Sequence, residues 1–148
     1  MKPLLLLLLL ALTACGVRPS VPIEGGSAPT EELTQGPVLY LLDGETLTRV
    51  MRFPTPTTPL ELLAEGPTSR ELEEGLTTEV PPHVSPITAV LSTTGITVRI
   101  SSALKDLSPA AQSQLVCTAL GQDQDMAIEV TLTDPTETLP PQLCPFRA

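Results

Sequence analysis

An apolar run of nine residues, 4–12, stands between Lys2 and the small residues Thr13 and Ala14, and it decides how much of the chain is left to fold. A positive n-region, a short apolar h-region and small residues beside a cut describe a secretory signal. At about 1.5 Å of rise per residue the run is far too short for a bilayer core of about 30 Å, so it does not span a membrane. No later segment is long enough either. Residues 1–14 therefore read as a signal peptide. Residues 16–36 follow with Pro19, Pro22, Pro29, four glycines and only scattered apolar side chains. That composition cannot build a core, and it reads as a flexible tether of roughly 25 Å root-mean-square span. What remains, residues 37–148, suits one small domain. At that size folding buries only about two thirds of the unfolded chain's surface, which makes a covalent staple useful.

The residue after the cut is Cys15. Leu12-Thr13-Ala14-Cys15 resembles the lipobox of bacterial lipoproteins. The resemblance implies that the Cys15 thiol takes a diacylglyceryl group and its freed amine a further acyl chain. Two or more chains at roughly 0.8 kcal/mol per buried methylene make a lasting anchor, whereas one binds only marginally. The alternative is an ordinary secretory signal with a chance cysteine. Four adjoining positions that all fit, with the cysteine where the apolar run ends, favour the lipoprotein. Residues 15–36 are then a lipidated cysteine and its tether, and the protein is expected outside the cytoplasm, anchored to the outer face of the cell membrane.

Disulfides persist in that compartment, and two cysteines remain, Cys117 and Cys144. A bridge between them closes a loop of about 28 residues and stabilises the fold by roughly 3 kcal/mol in the chain-entropy model. The rival reading, a nucleophilic cysteine, needs a nearby base to lower its pKa. The sole histidine, His83, sits in Pro81-Pro82-His83, which disfavours such a pair. Loss of the signal removes Lys2 and no acid, taking the formal net charge from −9 to about −10. Such a charge opposes adsorption to phosphate backbones and anionic headgroups, so nucleic acid is not an expected partner and the lipid must hold the membrane. A solvated surface that keeps the protein soluble accounts for the charge itself.

Within the domain, residues 38–42 are continuously apolar, and Asp43-Gly44 signals a hairpin turn into residues 46–52, where Leu47 and Met51 mark one face. Pro54, Pro56 and Pro59 end the ladder. Thr58-Pro59-Leu60-Glu61 starts a short helix to about Glu65, with a capping threonine, proline at its first position and glutamate at its third. Gly66-Pro67 stops it, and residues 69–74 predict another short helix capped by Thr68 or Ser69 and ended at Gly75. From Pro86 the period is two: Ile87, Ala89 and Leu91, then Ile96, Val98 and Ile100 after Thr94-Gly95, a second hairpin. Ser108-Pro109 opens the longest helix, to Leu120, with Ala111, Leu115, Val116 and Ala119 clustered on the side that should cover the sheet. Cys117 points away from that stripe, so a bridge to Cys144 requires the C-terminal tail to cross the exposed flank of the helix. Met126, Ile128, Val130 and Leu132 alternate as a last strand. The sum is an α+β domain: a small sheet of two hairpins and a C-terminal strand, with helices packed on it.

Several segments in this order resemble the GerMN domain, the sporulation and germination module of bacterial envelope proteins. They are Arg52-Phe53-Pro54, Leu62-Leu63-Ala64-Glu65-Gly66-Pro67-Thr68, Glu74-Gly75-Leu76-Thr77-Thr78-Glu79-Val80-Pro81, and, like the family's late helix, Gln114-Leu115-Val116-Cys117-Thr118. The resemblance covers roughly residues 38–133. It implies an envelope module akin to ring-building and scaffold domains, with no catalytic residues to carry over. Where such domains often have valine, aspartate, leucine, serine, this chain has Val98-Arg99-Ile100-Ser101, and it has one domain copy where some relatives have two or an added propeller. Recognition through that acidic position is not carried over. Gly66, Pro67 and Gly75 also have a purely structural reading as helix ends.

For catalysis a constellation is needed, and the chain shows no Ser/His/Asp arrangement, no HExxH and no phosphate-cradling glycine loop. Glu71, Glu73 and Glu74 could approach a hard cation, but helical spacing leaves Glu71 and Glu74 on one face and sends Glu73 elsewhere, as on a solvated helix surface. Tyr40, Phe53 and Phe146 are the only aromatic residues, too few for a ligand site of stacked rings. The expected function is therefore that of a non-catalytic, lipid-anchored scaffold or interaction protein with an envelope protein partner and no cofactor or metal. The alternative is a lipoprotein that delivers a small ligand to a transporter or sensor, although a single domain of about 112 residues lacks the two-lobed cleft typical of such carriers.

Overall fold

The computed structural model describes residues 36–121 and 127–146. Cys15, the signal peptide, the tether up to residue 35 and Met126 lie outside the described residues. Among the described residues the fold is α+β, with six strands in two three-stranded sheets, three α-helices and two short 3-10 turns.

Strand β1 (Val38–Asp43) turns back at Gly44 into β2 (Thr46–Met51), in antiparallel register from Val38↔Met51 to Asp43↔Thr46. The continuous apolar run of β1 is explained by its place. It is the central strand of the order β2-β1-β3, with both faces buried, so alternation has no solvent side to mark. Strand β3 (Leu76–Thr77) is too short to leave a period in the sequence. Leu47 packs on the core as expected, but Met51 is 55% exposed, and it is Val50 from the opposite face that joins the core. The core ends before the last residue of this edge strand.

Helices α1 (Pro59–Glu65) and α2 (Ser69–Glu73) form where their caps predict, with Thr58 and Thr68 as N-caps. Glu61, three residues past Thr58, does not reach back to complete a capping box. Its carboxylate instead accepts from Ile87 N at 2.6 Å and Ser85 Oγ at 2.5 Å, tying α1 to the strand that follows.

The second sheet has the order β4-β5-β6. Strands β4 (Thr88–Ser92) and β5 (Gly95–Arg99) are the second hairpin, and β6 (Val130–Thr133) lies parallel to β5. At Gly95 the hairpin leaves no room for a side chain: φ is +139°, and a Cβ would stand 2.4 Å from Glu129 O. Parallel neighbours need a crossover, and α3 (Pro109–Leu120), capped by Ser108, supplies it. This helix packs on β5 and β6 and also on β1, so it is shared by both sheets. Gln114, Cys117 and Thr118 are consequently buried along with the expected apolar stripe, and Ala119 of that stripe is only partly buried.

The buried polar pair on α3 has a specific task. Strand β3 meets β1 only at Leu42 and Asp43. Two residues back, on the same strand edge, the backbone of Tyr40 is served by the helix: its N–H donates to Thr118 Oγ1 at 3.1 Å, and its carbonyl accepts from Gln114 Nε2 at 2.9 Å. Gln114 Oε1 in turn accepts from Glu79 N at 2.9 Å and Thr78 Oγ1 at 3.3 Å. Side chains one helical turn apart thus stand in for the missing length of β3.

Cys117 and Cys144 are joined, 27 residues apart in sequence. The flank of α3 that periodicity leaves exposed is covered, and Cys117 is fully buried. The tail gets there by running antiparallel to β6, with Thr133↔Thr138 and Val130↔Gln142 as isolated bridges. Between the bonds of Leu139 and Gln142, Pro140 and Pro141 stand opposite the single residue Thr131, a bulge at which neither proline is asked for a donor. Beyond the bridge, Phe146 meets Tyr40 edge-on at 5.0 Å between ring centroids.

Asp134 turns the chain between β6 and this tail. Its carboxylate accepts from Leu104 N at 2.7 Å, from Thr136 N and Oγ1 at 2.6 and 2.8 Å, and from Glu137 N at 2.6 Å. These bonds, led by that from Leu104, hold its pKa down to about 2. A folded-state pKa below the unfolded value means stability that is fully present above the ordinary carboxylate range and lost on acidification. Urea unfolding of the wild type should therefore weaken as pH falls from about 4 towards about 2, and Asp134→Asn should remove part of that slope. Identical slopes for the two proteins would contradict this assignment.

Candidate interaction surface

The side chain of Arg52, at the end of β2, is gripped from two helices. Its Nε and Nη2 make a two-point pair with Glu71 at 2.9 and 2.7 Å, Nη2 also donates to Gly66 O at 2.8 Å, and Nη1 reaches Leu62 O at 3.4 Å. The Leu62 and Gly66 carbonyls belong to the end of α1, where the helix lacks intrahelical donors and its dipole favours a cation. Glu71 starts α2, where it also accepts from Thr68 N at 2.6 Å and completes a capping box. Burial pushes the Glu71 carboxyl up, but the Arg52 and Thr68 bonds outweigh it and hold the pKa below its ordinary value. Glu74 pairs with Arg70 on the exposed face of α2. Two of the three glutamates that could have approached a cation are thus occupied, and among the described residues no three His, Cys, Asp or Glu side chains gather to hold a metal ion.

The sequence-predicted residues come together unevenly. Both domain sulfurs are consumed by their bridge, so neither is a thiol nucleophile, and His83 is exposed in a 3-10 turn. In Val98-Arg99-Ile100-Ser101 the first and third side chains are buried, Arg99 is exposed on β5, and Ser101 Oγ donates to Ser85 O at 2.6 Å, closing the loop before β4. Among the described residues no helix is long and apolar enough to cross a membrane.

Alternation places Ala89 and Leu91 on one face with Ile96 and Val98, and the structure keeps that face while leaving its β4 half uncovered. Ala89 pairs with Val98 and Leu91 with Ile96 on one face, as alternation requires. Helix α3 lies over β5 and β6, however, and does not cover β4, so all five residues of β4 are exposed, Leu91 to 74%. Val90 on the other face is exposed as well, and Leu143 lies exposed beside Leu91 and the half-buried Ile128. Along Ile87, Thr88 and Ala89 runs an open groove of about 450 Å³ whose far wall is Pro59, Leu60 and the last turn of α3.

β4 is also the edge of its sheet. Natural edges are blunted with charges, prolines or bulges, because a bare edge invites another strand. The edge strand β2 of the other sheet carries Arg49 and runs into Pro54. β4 reads Thr-Ala-Val-Leu-Ser, with neither charge nor proline, and pairs without a break from Thr88 to Ser92. A bare, uncharged edge beside an apolar groove has the chemistry for adding an extended segment: backbone bonds for affinity and alternate side-chain pockets for specificity. Compared with protein-family models, with curated proteins and with solved structures, the chain matches none.

Proposed function

We propose that this protein is a lipid-anchored, non-catalytic component of the bacterial cell envelope, a scaffold or interaction module resembling GerMN domains, and that it engages an envelope protein through the β4 edge. The observation that carries the proposal is the bare edge of β4 in a chain whose other long edge strand is protected. Anchorage rests on the lipobox at Cys15. The GerMN likeness rests on the sequence segments alone, and in the fold those segments are bonded to one another, Arg52 to Gly66 and Gln114 to Thr78 and Glu79.

Cross-linking the native lipidated protein in its own cells, followed by mass spectrometry, tests the proposal. A specific envelope protein should co-purify, and it should be lost from Cys15→Ala, which is released from the membrane, and from Val90→Lys, which places a charge on the edge. The Val90→Lys substitution, at an exposed position, should leave stability within about 0.5 kcal/mol. Recovery of only bulk lipoproteins, or of the same partner with Val90→Lys, would overturn it.

A further inference from the structure

Phe53 is the most exposed of the large apolar side chains among the described residues, at 93%, yet it stands between two fixed neighbours. Arg52 N–H donates to Pro37 O at 3.0 Å, the Arg52 side chain is fastened to both short helices, and Pro54 restricts Phe53 to an extended backbone. Composition assigns Gly36 to the tether, but it is buried in the module, packed so closely on the next strand that a Cβ would stand 1.7 Å from Arg52 O and 3.2 Å from the Phe53 carbonyl carbon. The chain therefore enters the module beside Phe53. Met51, 55% exposed, lies two residues earlier, on the same face of β2 as the exposed Arg49. Between Met51, Phe53 and α2 is an open groove of about 670 Å³.

We propose that Met51 and Phe53 form a membrane-contact patch, inserting into the interfacial layer of the same bilayer that holds the lipid on Cys15. The inference rests on the anchored reading above. Residues 16–35 lead from the lipid to Gly36, so the point of entry is the part of the module that the tether draws to the surface first. Covalent linkage to a lipid at Cys15 keeps the patch at a high effective concentration near the bilayer, where a weak apolar contact is enough. Charge does not forbid it. The chain as a whole is strongly acidic, but beside the patch Arg52 pairs with Glu71 and Arg70 with Glu74, which leaves Glu65 as the one carboxylate lining the groove outside an ion pair. An aromatic and a thioether side chain at one groove, with the Arg49 guanidinium on the Met51 face of β2, suit the headgroup boundary, where the apolar side chains bury and the cation stays wet.

The chain contains no tryptophan, so Phe53→Trp introduces a single fluorophore. The full lipidated protein is reconstituted in phosphatidylcholine vesicles with brominated acyl chains, with Leu91→Trp on the β4 edge as the control and flotation as a separate record of anchoring. In floating protein the Phe53→Trp emission should shift to shorter wavelength and be quenched by about twofold or more, as expected for a residue at the acyl boundary, while Leu91→Trp stays unquenched. Equal quenching of the two variants in floating protein would overturn the patch alone. A Phe53→Trp shift that appears only on adding envelope proteins would overturn it in favour of a protein-binding role. Protein that fails to float would overturn the anchored reading itself and this inference with it.

Discussion

Replacing Arg52 with alanine is expected to lower the unfolding free energy by about 4 kcal/mol, because it leaves the Glu71 carboxylate without its partner in a nearly closed site. The two side chains retain only 12% and 8% of their exposure. The substitution also strips the Leu62 and Gly66 carbonyls at the end of α1 of their donor. The Arg70–Glu74 pair, two ordinary surface side chains at 87% and 53% exposure, provides the internal control. Arg70→Ala should cost no more than about 0.5 kcal/mol. Arg52→Lys should recover little of the loss, since an ammonium cannot make the fork that spans both Glu71 oxygens. Urea unfolding of the three variants reads these differences directly, and equal costs for Arg52→Ala and Arg70→Ala would contradict the structural role given to the Arg52 pair.

Cys144→Ser should cost between about 3 and 4 kcal/mol and lower the melting temperature by about 10–15 °C. The bridge spans 27 residues, and the segment it closes contains β6, the Asp134 turn and the bulged return of the tail. Freed of it, the tail is still held by its bridges to β6, the bond from Leu139 N to Leu132 O and the Phe146 contact with Tyr40, so amide exchange at Gln142 and Val130, nearest the lost bridge, should quicken more than exchange in β1. Cys117 is left as a small buried thiol, which packs as an apolar group and adds little cost of its own. Mass spectrometry of protein purified from the envelope should find no free thiol among these two cysteines. A wild type with two free thiols, or a Cys144→Ser variant of unchanged stability, would contradict the stapled tail.

How far the sequence spoke depended on whether a feature was local. The helix starts at Thr58, Thr68 and Ser108 and the turn at Gly44 were legible because a cap or a turn is decided by three or four adjacent residues. The separation into two sheets was not, and neither was β3, whose two residues are recruited by Leu42 and Asp43 rather than by any pattern of their own. Helix α3 was read as covering one sheet because its apolar stripe marks a single side, with Cys117 pointing away from it and Gln114 and Thr118 polar. They are buried because two sheets share the helix and because Tyr40 needs the bonds that the two polar residues supply. The exposure of β4 was not legible for a different reason: alternation correctly says that Ala89 and Leu91 share a face, but it cannot say where the covering helix stops. The candidate surface was thus written in the sequence as an apolar strand, and only the packing around it reveals that the strand lies uncovered.

Hydrogen exchange of the β4 segment, compared between purified protein and protein in its native membranes, tests the central claim most directly. Edge amides with no strand beside them exchange quickly, and an added strand protects them. The account predicts fast exchange across Thr88–Ser92 in the purified protein and marked protection in the membranes, lost again with Val90→Lys. Equal exchange of this segment in both preparations would contradict the proposal that β4 is a surface for an envelope partner.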